Sequence, residues 1–209
     1  MEIELKYKIA NAAMLDSIWN DNYLGEIAEP DSREELEMRA SYFDTEDRIL
    51  SSNNIAFRIR KEGAKMVGTL KWRDEDDTIA GLYVRQEVNV PICDENYMIS
   101  PDPLVFKESE EGRDLLEIIG DEPLSCVLEM SFCRRKVRVD DGNTICEISL
   151  DDGQILAGGR CEQICELEIE LYTGGQEGLL QIGGVVAKKY GLEPELSSKF
   201  ARGLKLLEA

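Results

Sequence analysis

Alternation with a period of two dominates this chain. Residues 2–9 put Ile3, Leu5, Tyr7 and Ile9 on one side and Glu2, Glu4, Lys6 and Lys8 on the other. Successive side chains of a strand point to opposite faces, so this segment is a strand with one apolar and one charged face. Residues 55–60 repeat the pattern, with Ile55, Phe57 and Ile59 against Arg58 and Arg60. In 66–72, Lys71 shares a side with Thr69. In 83–90, Arg85, Glu87 and Asn89 oppose Val84, Val88 and Val90. In 145–151, Glu147, Ser149 and Asp151 oppose Cys146, Ile148 and Leu150. In 165–171, Glu166, Glu168 and Glu170 oppose Cys165, Leu167, Ile169 and Leu171. Residues 130–139 are strand-like but mixed, because Phe132 shares a face with Arg134.

Helical signals fall between and after these strands. Asn11 can cap a helix running to about Tyr23, with Ala12, Leu15, Ile18 and Trp19 on its apolar stripe. Residues 110–119 form a short helix closed by Gly120. Residues 176–190 predict a helix weakened by Gly178, Gly183 and Gly184, and Ser197 or Ser198 can cap a last helix to about Leu207. Residues 74–81 read as a solvated hairpin loop. No repeat and no Pro- or Ser-rich linker divides the chain, so residues 1–209 are expected to form one α+β domain.

Charge changes the picture of the strands. The sequence carries 43 Asp and Glu, 24 Lys and Arg and no His, for a net charge of −19. Nucleic acid is thereby excluded as a main partner, since phosphate backbones are bound by positive surfaces. The missing His removes Ser–His and Cys–His catalysis and His-ligated metal sites. The six Cys show no paired metal-ligand spacing and read as small reduced core residues. The N-terminus does not read as a signal peptide and no apolar run could span a membrane, so a cytoplasmic protein with no membrane partner is expected.

Each charged strand face, taken alone, is an ordinary solvated face of an antiparallel sheet. As a set they differ from that. Carboxylates gather on Glu2, Glu4, Glu147, Asp151, Glu166, Glu168 and Glu170, and cations on Arg58, Arg60, Lys71, Arg85 and Arg134. Like charges two apart on a strand repel unless an opposite charge lies between them. A divalent cation suits Glu-x-Glu, a polyanion suits Arg-x-Arg, and oxygen ligands alone point to Mg²⁺ or Mn²⁺. The alternative architecture is a closed antiparallel barrel of about eight strands with the charges inside and helices covering its apolar exterior.

At this point the residues match a known pattern. Glu2-x-Glu4-x-Lys6 resembles the ExExK signature of the CYTH superfamily, the triphosphate tunnel metalloenzymes. Tyr42 to Thr45, Phe57 to Arg60, Thr69 to Lys71, Gly81 to Val90 and Phe132 to Arg134 resemble its successive segments in order. So do Glu147 to Gly153, Ile164 to Gly174 and Ser198 to Gly203, so the resemblance spans residues 1–205. It is nearest to the bacterial members that hydrolyse inorganic triphosphate. Lys136-Val137 departs from the aromatic many members carry, and Asp151 takes the acidic role that others give to the position of Ser149.

The resemblance implies a closed eight-stranded barrel, or tunnel, with helices packed outside. It implies that Glu2, Glu4, Asp151, Glu168 and Glu170 hold one or two Mg²⁺ or Mn²⁺ ions, while Glu166 lines the tunnel. Lys6, Arg58, Arg60, Lys71, Arg85, Arg134, Lys199 and Arg202 would grip the phosphates, with Glu87 beside them. Glu2, Glu4 and Lys6 would be the catalytic group. The implied activity is metal-dependent hydrolysis of tripolyphosphate or a related organic triphosphate. Class IV adenylate cyclase, thiamine triphosphatase and a non-catalytic polyphosphate or nucleotide binder are the alternatives, and a homodimer is compatible with exposed apolar edges.

Overall fold

The computed structural model describes residues 2–72, 78–79 and 81–208. Its strands are β1 (Glu2–Lys8), β2 (Glu34–Asp44), β3 (Ile55–Glu62), β4 (Lys65–Trp72), β5 (Thr78–Ile79), β6 (Leu82–Ile92), β7 (Ser125–Asp140), β8 (Ile145–Ala157), β9 (Arg160–Thr173) and β10 (Glu193–Pro194). Pairing runs β10-β1-β9-β8-β7-β2-β3-β4-β6-β5, and β1 also pairs with β6. That second pairing, Glu2 opposite Arg85 through Leu5 opposite Leu82, closes an eight-stranded antiparallel barrel. Most of the hairpin loop expected over 74–81 lies outside the described residues. Thr78 and Ile79 themselves form a two-residue strand on β6.

The helices are α1 (Ala12–Trp19), α2 (Asn22–Ile27), α3 (Ile49–Ser52), α4 (Glu110–Ile119), α5 (Gln176–Tyr190) and α6 (Lys199–Glu208), with 3-10 turns at Glu95–Met98 and Pro103–Phe106. The single helix expected from Asn11 to Tyr23 is two. Asn11 caps α1 through Met14 N, but the Asp21 carboxylate then accepts from the Tyr23 and Leu24 amides and starts α2. An Asp side chain satisfies amide donors that helix geometry leaves orphaned, so it begins a helix rather than continuing one. Ser198 caps α6, accepting from Ala201 N.

The apolar strand faces point outward, and helices cover them. Leu5, Ile148, Leu150, Leu167 and Ile169 pack beneath Leu15 and Ile18 of α1, Leu24 of α2, and Leu179, Ile182 and Val186 of α5. Gly183 lets α5 approach: a Cβ there would lie 2.5 Å from Leu5. Phe57, Ile59, Met66 and Leu70 pack against Leu50, Phe106, Leu115 and Ile119 on the opposite flank. A third cluster lies inside. Met38, Ala40, Tyr42, Leu128, Met130, Phe132, Ile155 and Ile164 receive Phe200 and Leu204 of α6. Gly203 makes this docking close, since a Cβ there would meet Leu128 at 2.6 Å.

Three expectations change. Strand β2 was not read from its alternation, because its polarity is inverted: Leu36, Met38, Ala40 and Tyr42 face the lumen while Glu35, Glu37 and Arg39 face solvent. Among the Cys, Cys146 alone is buried; Cys93, Cys126 and Cys161 are exposed, and none is bridged. Lys8, which shares the alternation of Glu2, Glu4 and Lys6, lies at the barrel's end with its side chain 63% exposed. Among the described residues no helix is long and apolar enough to cross a membrane.

The outer helices should matter to stability as much as the strands do. Leu15 is fully buried under α1, so Leu15→Ala should destabilise the fold by about 2–5 kcal/mol, through lost transfer energy and the cavity left behind. Urea denaturation checks this. A loss under about 1 kcal/mol would mean that α1 is not part of the cover.

Candidate functional site: a charged barrel lumen

The barrel encloses a cavity of about 380 Å³. Its wall includes Glu2, Glu4 and Lys6 of β1, Arg58 and Arg60 of β3, Lys71 of β4 and Arg85 and Glu87 of β6. Arg134 of β7, Glu168 and Glu170 of β9 and Lys199 of α6 complete it, with Glu147 and Lys136 also on the wall. Asp151, Glu166 and Arg202, also expected at the site, stand behind this wall, with Asp151 fully buried. Alternation and strand register explain the convergence. Glu2 sits opposite Arg85, Glu4 opposite Glu170, Lys6 opposite Glu168, and Arg134 opposite Asp151.

The charges divide into two groups. In the first, Arg134 grips Asp151 through two nitrogens at 2.7 Å and reaches Glu168 at 2.6 Å. Lys199 lies 2.8 Å from Asp151, 2.6 Å from Glu166 and 2.9 Å from Glu168. Lys6 donates to Glu168 at 2.6 Å, and Arg202 to Glu166 at 3.1 Å. Burial works to raise the Glu168 carboxyl, but Lys199, Lys6 and Arg134 together hold it well below the usual carboxylate range. Asp151, Glu166 and Glu168 present oxygens within 4.8 Å of one another, a spacing compatible with a cation. Four cationic side chains already contact these three acids, so a divalent ion placed there would add charge to a compensated cluster.

In the second group the balance is reversed. Lys71 bonds Glu2 at 2.6 Å and Glu87 at 2.9 Å. Burial alone would raise the Glu2 carboxyl; Lys71, by charge and hydrogen bond, overrides it and brings it to about 2. Glu4 is raised instead, by burial first and then by Glu168 and Glu2, against the pull of Lys6. Its Oε1 lies 3.1 Å from Lys6 Nζ, yet no donor meets it in hydrogen-bond geometry. Burial, then the charges of Glu2 and Glu4, push Glu170 up to about 7. Buried carboxylates that raise one another's proton affinity lack positive charge between them. Glu4 and Glu170 therefore fit a hard divalent cation on electrostatics, and Glu2 adds a third carboxylate on oxygen chemistry.

The cationic wall is also incompletely paired. Among the described residues neither Arg58 nor Arg85 has an ion pair. Arg58 Nη1 lies 3.4 Å from the Tyr42 hydroxyl, and Arg85 stacks 4.5 Å from the Tyr83 ring centroid. The Nε atoms of Arg58 and Arg60 are buried with no acceptor. Buried unsatisfied donors are rare in native structures. Two on one lumen wall suit an anion rich in oxygen acceptors. Several polar residues in or beside the lumen were not foreseen as site residues. Tyr42 lay in a quoted motif without a role, Tyr83 was read only as strand, Lys136 only as a departure, and Glu62 extends the Arg58–Arg60 alternation by one step.

The chain belongs to the CYTH family: the CYTH domain matches residues 1–204. Inorganic triphosphatase from Haemophilus influenzae is 26% identical over 168 residues, which is 78% of this chain and 44% of that protein. The chain thus spans less than half the length of this curated relative. Among solved structures, an adenylyl cyclase candidate from Hippeastrum, described as having a dominant triphosphatase activity, matches with TM-score 0.71 at 23% identity, over 99% of this chain and 97% of that one. A protein from Pyrococcus horikoshii matches with TM-score 0.58 at 21% identity over 99% of both chains. These two likenesses concern the fold. Membership of the CYTH family implies dependence on a divalent metal.

A cation seated on Glu2, Glu4 and Glu170 would bind the folded chain preferentially and stabilise it by mass action. Millimolar Mg²⁺ or Mn²⁺ should raise the melting temperature of the unmodified protein and leave Glu4→Gln nearly unchanged. Equal shifts in both proteins would place the ion elsewhere.

Proposed function

We propose that this chain is a divalent-metal-dependent triphosphatase that hydrolyses a phosphoanhydride bond of inorganic triphosphate or a related organic triphosphate inside its barrel. One observation carries the reading. The barrel lumen holds under-paired guanidinium groups at Arg58, Arg60 and Arg85 within the same cavity as two under-compensated carboxylates, Glu4 and Glu170, with Glu2 beside them. A polyanion together with divalent metal supplies the two charges this lumen lacks. The related triphosphatase and the matching triphosphatase fold support the choice of reaction.

In this reading Glu2, Glu4 and Glu170 hold Mg²⁺ or Mn²⁺; Asp151 and Glu168, also expected as metal ligands, are already compensated by Arg134, Lys199 and Lys6. When bound, the metal neutralises phosphate oxygens and lowers the pKa of a bound water. Lys6, Arg58, Arg60, Lys71, Arg85 and Arg134 bind and align the phosphates, and arginine forks suit their paired oxygens. Lys199 and Arg202, three apart on α6, close the lumen from the helix side. Lys6, fixed between Glu4 and Glu168, sits where the carboxylate and cation groups meet. Phosphoryl transfer asks for position and charge more than covalent chemistry. The lack of His and of an activated nucleophile fits that demand.

A cyclase acting on ATP needs room for a nucleobase. The apolar lumen wall of Met38, Ala40 and Tyr42 is the natural place for one, and Phe200 and Leu204 of α6 already occupy it, with Phe200 stacked 5.0 Å from Tyr42. This favours hydrolysis over cyclisation.

Incubation with tripolyphosphate, ATP and thiamine triphosphate in Mg²⁺ and in Mn²⁺, with assays for phosphate and cyclic AMP, tests the proposal. Phosphate release from tripolyphosphate is expected. Cyclic AMP formation without it would overturn the reading, and binding without turnover would favour a non-catalytic binder. Arg58→Ala should raise KM by about tenfold or more, the loss of one charge-assisted bidentate contact. Unchanged kinetics would remove Arg58 from the site.

A further inference from the structure

Arginine 60 is the most electrostatically crowded cation of the lumen. Burial, then the charges of Arg58 and Arg134, depress its guanidinium to about 10, and Glu62 opposes them. Among the described residues, Glu62 is the one carboxylate ion-paired with Arg60. Glu62 is the last residue of β3, directly before the β3–β4 turn, and its side chain lines the same cavity. Its Cα partner on β2 is Met38, whose own partner on β7 is Phe132, so apolar wall lies beside it. On the other side Arg60 faces Val67 of β4. The Glu62 side chain is 24% exposed, against 0% for Asp151 and 11% for Glu168. Glu87, the other carboxylate beside this wall, is 20% exposed and bound to Lys71, so Glu62 is the more open of the two.

We propose that Glu62 is a specificity-determining residue: its carboxylate occupies the Arg60 fork as a built-in competitor, and a ligand engages Arg60 only by displacing it. Two points of geometry carry this. Arg58 and Arg60 are successive inward positions of β3, so they form two steps of one cationic track, and Glu62 is the third step with opposite sign. The buried Arg60 Nε has no acceptor although Glu62 meets the terminal Nη2, so the pair leaves part of the fork for a ligand with more oxygens. A chain of three or more phosphates can reach both arginines and replace the carboxylate. A diphosphate satisfied at Arg58 gains little by doing so. Glu62 thereby sets the threshold of charge and length at which a phosphate chain binds tightly. The inference rests on the triphosphate reading and adds chain-length selection to it.

The test is calorimetric binding of pyrophosphate, tripolyphosphate and tetrapolyphosphate, with EDTA present so that no turnover occurs. Glu62→Gln should tighten tripolyphosphate and tetrapolyphosphate by at least about threefold and change pyrophosphate by less than about twofold, within the range of coupling expected for contacting charges. Glu62→Asp, which keeps the charge, should lie between the parent and Glu62→Gln. In an Arg60→Ala background the Glu62→Gln gain should vanish. Equal or weaker binding by a folded Glu62→Gln protein would overturn the inference. So would a gain that persists without Arg60, or one shared equally by pyrophosphate. Tripolyphosphate hydrolysis by the unmodified chain is read separately. Absence of hydrolysis with the Glu62 effect present would sink the enzymatic reading and leave the selection mechanism standing. Absence of tripolyphosphate binding by the unmodified chain would sink both.

Discussion

Every feature of this molecule answers to one constraint: charge placed inside a barrel must be neutralised there. Removing an ionised side chain from water is expensive unless an opposite charge or hydrogen bonds replace its hydration. The lumen meets that demand unevenly. Asp151 and Glu168 are saturated by Arg134, Lys199 and Lys6, and Glu166 is met at Oε1 by Lys199 and Arg202 while its Oε2 has no partner. Glu4 and Glu170 are not, and neither are Arg58 and Arg85. The saturated cluster ties α6 to β8 and β9 and acts as scaffold. The unsaturated groups are where ligands can lower the free energy of the whole.

The same constraint accounts for inverting the usual sheet arrangement. A strand with charged and apolar faces ordinarily turns its apolar face to the core. Here closure through the β1–β6 pairing gives the charged faces to the lumen, and the apolar faces must find cover outside. Helices α1, α2 and α5 cover one flank, and α3, α4 and the 3-10 turns cover the other. The fold therefore has two outer cores around a lumen that is charged except where α6 enters it. Substitutions under the helices perturb the site only through the barrel's shape, whereas substitutions in the lumen change its charge directly.

Strand existence was legible because period-two alternation is long and clean in β1, β3, β8 and β9, where both faces have a single character. Strand β2 escaped because a rule that assigns charge to the inside reads it backwards: its apolar face meets α6 and its charged face meets water. The mixed face of 130–139 has the same origin. Phe132 lies against the apolar α6 side of the lumen, and Arg134, one step along, enters the ion cluster. The break between α1 and α2 depended on one Asp side chain choosing amide capping over continuation. Which acids would be satisfied was not legible at all. Glu166, Glu168 and Glu170 look equivalent in sequence, and only strand register and the docking of α6 decide that the first two meet lysine and arginine while Glu170 faces Glu4.

The net charge of −19 takes on a different meaning in this setting. The lumen wall pairs acids with bases, so the excess negative charge belongs to the exterior and to residues outside the cavity. A polyanion approaching a chain of net charge −19 meets net repulsion before it reaches the inward arginines. Beyond about 8 Å at physiological ionic strength that repulsion is screened, so it acts as a local filter and not as a long-range barrier. Low-dielectric walls then focus the field of the inward arginines along the cavity. A short, densely charged anion can enter such a field alone, while a long polymer must lay most of its length against an acidic surface. The exterior and the cation track thus select in the same direction, for small anions of high charge.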